Sequence, residues 1–166
     1  MPKIVDVEKK RKELAINSIE LFLSKGFHQL TVGEVAKHSN IAKGSIYKYF
    51  ESKEDIVYAI IDYVQEEYDL DILAKIKNAK DIETKILILF SLCIAEDEET
   101  IQRRKIYKQF INIALQSNDE KMHSLLRDIK IKYTTWLKEI FEEGIKQEVL
   151  KKESINLYEG LFTIGE

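Results

Sequence analysis

The sequence predicts an all-α protein, a small N-terminal head of three helices followed by a larger helical body. Three observations point there. Helix breakers are scarce, with one Pro, at Pro2, and six Gly in 166 residues. Apolar residues recur at spacings of three and four along most of the chain. Residues of the helix-capping type stand where those periodic stretches begin.

The first helix is expected over residues 7–25, where Leu14, Ser18, Leu21 and Phe22 share a face and Gly26 supplies the stop. Thr31 opens the second, with Glu34 three residues later as in a capping box. Ser39-Asn40 ends it as a turn, since Asn tolerates the left-handed conformation. A third short helix is expected over residues 42–49. Ser52 then reads as the N-cap of a long fourth helix, with Glu54 and Asp55 in its first turn and Ile56, Ile60, Tyr63 and Val64 along one face.

In the body, Asp81 caps a helix expected to run to residue 94, with Ile82, Ile86, Leu89 and Phe90 on one side. The acidic stretch 96–99 reads as a loop, and residues 101–115 as the next helix. Residues 119–147 form the longest candidate, its buried stripe being Leu125, Leu126, Ile129, Tyr133, Trp136, Leu137, Ile140 and Phe141. Glu153 or Ser154 opens a last helix, and the apolar Leu161, Phe162 and Ile164 so close to residue 166 are expected of a chain that continues. No linker separates head from body, so the fourth helix is expected to join residues 1–52 to residues 53–166 rigidly.

Composition narrows the function. Hydrophobic residues at 45% and charged residues at 33% describe a globular protein. The longest apolar run, residues 86–90, is far below the ~18 needed to span a membrane. The first twelve residues lack the apolar core of a signal peptide, and the single Cys93 makes no internal disulfide, so a cytoplasmic protein without membrane association is expected. The sequence carries no phosphate-binding glycine loop, no nucleophile elbow and no metal-ligand spacing, and its His28, His38 and His123 are scattered. No enzyme activity, cofactor or metal is therefore expected. The net charge of −3 hides an asymmetry: residues 1–53 hold ten Lys/Arg against six Asp/Glu, whereas the remainder is net −7. A basic head on an acidic body fits a local nucleic-acid surface.

Residues 31–56 are the informative stretch. Two short helices about a tight turn give helix-turn-helix geometry, with Val35, Ala36, Ile41 and Ile46 as the core between them. The second helix presents Lys43, Gly44, Ser45, Lys48 and Tyr49 within one and a half turns. A helix-weakening Gly makes sense where backbone must approach a groove closely. Lys and Tyr suit phosphates, Lys and Ser reach base edges, and Lys53 at the start of the fourth helix can meet a phosphate. The run Lys9-Lys10-Arg11-Lys12 is either a supplementary phosphate contact or a solvated helix start.

These residues resemble the TetR family of bacterial transcriptional regulators. The family carries a Thr, an Ile/Val-Ala pair, a turn, a Tyr-x-Tyr/His-Phe ending and a Lys followed by an acid and an apolar residue. Here they are Thr31, Val35-Ala36, Ser39-Asn40, Tyr47-Lys48-Tyr49-Phe50 and Lys53-Glu54-Asp55-Ile56, preceded by Leu21-Phe22 and Gly26-Phe27. The resemblance is specific over about residues 10–60. Two positions depart from it. Ser39-Asn40 replaces the usual Ala-Gly turn, and Ala42 stands where the recognition helix usually begins with Ser, which removes one hydroxyl contact.

The resemblance implies a ligand-responsive repressor that binds double-stranded, palindromic operator DNA as a homodimer. Its DNA contacts would be Thr31, Ala42, Lys43, Gly44, Ser45, Tyr47, Lys48, Tyr49 and Lys53. It implies a pocket in the body for a small apolar or amphipathic ligand, for which Tyr107, Phe110, Tyr133 and Trp136 are candidates, although aromatics at helical spacing also simply fill cores. It also implies dimerisation through the last helices, with Leu157, Tyr158, Leu161 and Phe162 as the apolar surface. The alternative is a helical interaction or architectural protein without small-molecule control.

Overall fold

A computed structural model describes residues 6–157, which form helices and their connections with no strand among them. Two compact units divide the chain: one holds residues up to Tyr68 together with Gln102–Gln116, the other Asp69–Ile101 and the residues from Ser117 onward.

The first unit begins with α1 (Val7–Gln29), N-capped by the Asp6 carboxylate, which accepts from the Lys9 N–H at 3.1 Å. Leu14, Ala15, Ser18 and Phe22 recur on one face and are fully buried. Ser18 is accommodated there because its hydroxyl donates to the Leu14 carbonyl at 2.6 Å. Gly26 interrupts the helix with φ 72° and ψ 171°, a backbone conformation open to glycine, and Leu30 N–H closes the turn on the Gly26 carbonyl at 3.2 Å. The expected stop at Gly26 is thus a kink, with one further turn before α2 (Val32–His38).

Thr31 and Glu34 form the expected capping box, and Asn40 takes the left-handed conformation at φ 53°. After α3 (Lys43–Ile46), Ser52 Oγ accepts from the Asp55 N–H at 3.2 Å at the start of α4 (Lys53–Asn78). Ile56 to Ile61 are buried without a break, so this stretch of α4 is enclosed on all sides rather than amphipathic. Ile106, Tyr107, Phe110, Ile113 and Ala114, from the part of α7 (Glu98–Gln116) that belongs to this unit, complete its core, and the Tyr107 hydroxyl donates to Gln65 Oε1 at 2.6 Å. The head expected at residues 1–52 thus shares a compact unit with the first four turns of α4 and most of α7.

The second unit is built on α8 (Glu120–Lys146), N-capped by Asp119, with Tyr133, Leu137, Ile140 and Phe141 buried and Leu125, Leu126, Ile129 and Trp136 half-buried. The helix α5 (Ile82–Leu89) lies against it. Lys85 Nζ donates to both Glu143 carboxylate oxygens at 2.6 Å, and a Cβ at Gly144 would stand 2.8 Å from Leu150 Cδ1 and 3.1 Å from Ile82 Cγ2. Gly144 is therefore what permits that approach. The later part of α4 is tied to α8 through Asp69, which accepts from Lys132 Nζ at 2.5 Å and the Tyr133 hydroxyl at 3.0 Å.

Three expectations change. The helix expected to reach residue 94 breaks at Phe90 (φ −91°, ψ 5°), leaving α5 and a short α6 (Ser91–Ile94). The acidic stretch is only partly loop, because Asp97 accepts from the Thr100 N–H at 2.8 Å and starts α7 at Glu98, where acids favour the positive helix end. The last described element is a 3-10 helix, Lys152–Leu157. Tyr158, Leu161, Phe162 and Ile164 lie outside the described residues; Leu157 is exposed.

Candidate nucleic-acid interface

The head presents one short helix on a braced support. Val35 and Ala36 of α2 are buried with Ile46 and Phe50, and Ile41 is half-buried beside them. The small side chain at Ala36 lets the two helices approach. Ala42 begins α3 without a side-chain capping bond, so the absent hydroxyl is not replaced. The helix proper is four residues, shorter than the expected 42–49. Tyr47 has ψ −6°, and the chain continues through tight turns in which Lys48 N–H reaches the Ser45 carbonyl at 3.3 Å and Phe50 N–H the Ile46 carbonyl at 3.1 Å.

With Ile46 and Phe50 turned inward, Ala42, Lys43, Gly44, Tyr47 and Lys48 are exposed, while Ser45 and Tyr49 are half-buried. Tyr47 is 53% exposed, so its ring is not a core group. A Cβ placed on Gly44 would meet nothing within 4 Å. Its lack of a side chain therefore serves no packing among the described residues. The Lys43 stem crosses Gly33, where a Cβ would lie 3.6 Å from it.

Other expected contacts have internal partners. The Thr31 hydroxyl donates to Glu34 Oε2 at 2.9 Å and accepts from the Glu34 N–H at 3.2 Å. Lys25 donates to Glu34 as well, and this bond, then the one from Thr31, holds the Glu34 carboxyl below its ordinary range. Lys53 Nζ donates to the Phe27 carbonyl at 3.3 Å and stands 4.2 Å over the Phe27 ring, fastening the foot of α4 to the end of α1.

Arg11 has a structural place in the head that the reading of residues 9–12 as a basic run missed. Its guanidinium meets the Asp55 carboxylate with both amino nitrogens, at 2.6 and 3.0 Å, donates to the Tyr49 carbonyl, and lies 4.7 Å over the Phe50 ring. Hydrogen bonding to Asp55 raises its already high pKa further. Asp55 Oδ2 also accepts from the Glu51 N–H at 3.1 Å. One fork therefore ties α1, the end of the recognition segment and the first turn of α4. The sequence offers a signal for this: residue 11 precedes the buried residues 14, 15, 18 and 22 on the same helical face. Its neighbours are paired too, Lys10 with Glu13 at 2.6 Å and Lys12 with Glu66 at 2.7 Å.

The expected ligand residues fall into different units. Phe110 is fully buried and Tyr107 largely so in the first; Tyr133 and Trp136 lie in the second, with ring centroids 5.2 Å apart. Among the described residues no group of three or more His, Cys, Asp or Glu is placed to hold a metal ion, and no helix is long and apolar enough to cross a membrane.

A family model described as bacterial regulatory proteins, tetR family, matches residues 17–60, from the middle of α1 to the second turn of α4. The chain is similar to the HTH-type transcriptional regulator PksA of Bacillus subtilis, 25% identical over 123 residues, which are 72% of this chain and 58% of PksA. It is also similar to IcaR of Staphylococcus epidermidis, the HTH-type negative transcriptional regulator of the biofilm operon icaADBC, 31% identical over 126 residues, 70% of this chain and 65% of IcaR. The chain thus spans 58% and 65% of the length of these two relatives. A solved TetR-family regulator from Cytophaga hutchinsonii shares the fold at a TM-score of 0.73 and 18% identity, over 98% of this chain and 86% of that one.

Proposed function

Since the chain belongs to the TetR family of bacterial regulatory proteins, we propose that it is a DNA-binding transcriptional regulator, a ligand-responsive repressor that binds a palindromic operator as a homodimer. The observation that carries this reading is the outward face of α3 and the turn that follows it: Lys43, Gly44, Tyr47 and Lys48 exposed over buried Ile46, with open space at Gly44. Two such helices entering successive major grooves would place Lys43 and Ser45 at base edges. Tyr47, Lys48 and Lys53, with Thr31 at the α2 start, would lie along phosphates, and Tyr49 would anchor the segment through its carbonyl. That IcaR is a negative regulator favours repression over activation.

In this reading the second unit holds the two heads together and hosts a small apolar or amphipathic ligand against Tyr133 and Trp136. Leu157, which is exposed, is a candidate for the dimer surface. The test is a gel shift on the DNA upstream of the protein's own gene. A complex at least ~10³-fold tighter than on unrelated DNA, and lost in a Lys43→Ala/Lys48→Ala variant, is expected. Equal affinity for both DNAs would refute it.

A further inference from the structure

Within the first unit, a groove of about 270 Å³ opens between the end of α1 and the last turns of α7. That volume is just below the range of drug-sized ligand sites, which run upward from roughly 300 Å³, and suits a smaller guest. The phenyl ring of Phe27 and the side chain of Ile113 supply apolar wall. The polar lining is three side-chain amides, Gln109, Asn112 and Gln116, with the His28 imidazole; it includes no carboxylate, Lys or Arg. Such a lining favours an uncharged guest, since a charged one would lose its hydration with no counter-charge to replace it.

Gln109 is the unusual member. Its Nε2 donates to the Leu23 carbonyl through a long bond of 3.5 Å, while Oε1 is shielded from solvent and accepts from nothing. An unmet buried acceptor is a rare arrangement that calls for a reason. The terminal torsion of Gln is broad, so a small rotation turns Oε1 toward the groove at the cost of one weak bond. Gly26 faces that oxygen: a Cβ there would stand 4.0 Å from it, and φ +72° disfavours any side chain at this position.

We propose that this groove is an effector site for small uncharged molecules that carry an N–H or O–H donor on a flat apolar body. The donor goes to Gln109 Oε1 and the flat body lies against Phe27. The Phe27 carbonyl and ring also hold Lys53, the first residue of α4. A guest that moves Phe27 therefore acts on the support of the recognition segment from inside the same unit. This coupling rests on the repressor reading; binding in the groove does not.

The experiment compares benzamide with acetophenone, which keeps the shape but replaces the donor NH₂ by CH₃, in NMR titrations of the full chain. Saturable benzamide binding on the order of 1 mM is expected, with acetophenone about tenfold weaker. In Gln109→Met the two compounds should bind alike, and in Asn112→Ala, an exposed position, benzamide should weaken while the fold is kept. On operator DNA, saturating benzamide should change the affinity by about threefold or more, and operator should change benzamide affinity by the same factor. Absent or non-saturable benzamide binding, equal affinity of the two compounds in the unaltered chain, or an unchanged preference in Gln109→Met overturns the site. Benzamide binding without any effect on an operator complex overturns its effector role. Failure to bind operator under any condition fails the repressor reading, and the titrations without DNA still decide the site.

Discussion

Replacing Arg11 by Met keeps the aliphatic stem and removes the fork that joins α1 to Tyr49 and Asp55. The loss can be bounded from the contacts. Hydrogen bonds to a charged group are worth about 1.5–3 kcal/mol together with what replaces them, and stacking on an aromatic ring adds about 0.5–1 kcal/mol. The pair is not deeply buried, the Arg11 and Asp55 side chains being 30% and 17% exposed, so solvent screening discounts the full cost of breaking a buried pair. Asp55 keeps its bond from the Glu51 N–H, so its carboxylate is not stranded. A net loss of about 2 kcal/mol follows. For a protein of this size that lowers Tm by roughly 4–8 °C, readable by circular dichroism. The functional effect is separable: well below the melting temperature, specific operator affinity should fall about tenfold because Tyr49 is no longer anchored. The salt dependence should stay the same, since Arg11 is spent on Asp55 and touches no phosphate. Asp55→Asn should reproduce both effects, and the double variant should add little to either single one. An unchanged Tm would refute the fork as a structural tie. A salt slope that drops by about one unit per head would show instead that Arg11 is a phosphate ligand.

Gly44→Ala should raise Tm slightly, Ala being favoured in helices by about 1 kcal/mol and the Cβ position being open; operator affinity should nevertheless fall, and undiminished binding would remove Gly44 from the interface. Lys53→Ala should weaken every DNA complex about equally, flatten the salt slope by about one unit per head, and cost some stability through its lost contacts to Phe27. Stability should also fall in acid. Glu34, Asp81, Asp97 and Glu120 are held below their ordinary range by Lys25, the Thr84 N–H, the Thr100 N–H and Arg127 respectively. Their unfolded forms therefore take up protons first, so the stabilisation is present above about pH 4 and is lost as pH falls through the lowered folded values. Thermal melts between about pH 6 and pH 3 measure this, and Asp81→Asn should show the smaller acid loss of a variant with one titrating cap fewer.

What was legible in the sequence was local. Thr31 with Glu34, Ser52 and Asp81 all cap where their spacing placed them, because a cap needs only its own next three residues. Gly26 and Asn40 take positive φ for equally local reasons. The exposed face of α3 followed from the position of Ile46 in the expected core. Illegible features depend on partners distant in sequence. Arg11 reads as one more cation in a basic run until Asp55, 44 residues away, is placed beside it. Lys53 reads as a phosphate ligand and nothing more until Phe27 is found under it. The break at Phe90 has no Gly or Pro to announce it. Gln109 has no signature at all, since a missing hydrogen bond is a property of the packed chain alone.

The same distinction sets how strongly salt should act on operator binding. Counting composition, ten Lys/Arg in residues 1–53 would neutralise ten phosphates per head. At about −0.9 per phosphate that is a slope near −9 per head and about −18 for two. The structure withdraws four of these charges. Lys10, Arg11, Lys12 and Lys25 are paired with Glu13, Asp55, Glu66 and Glu34. On α2, α3 and the segment that follows, Lys37, Lys43 and Lys48 are exposed, and Lys53 is held by an aromatic ring and a carbonyl rather than by an acid. Four such cations give about −3.6 per head, so a dimer on its operator should show a slope of about −7. The measurement is the logarithm of the observed binding constant against the logarithm of salt concentration. A slope steeper than about −11, which is more than Lys3 and Lys9 could add to these four, would mean that ion pairs within the head open to reach DNA. A slope shallower than about −4 would mean that one head alone is engaged, and would count against binding as a symmetric dimer.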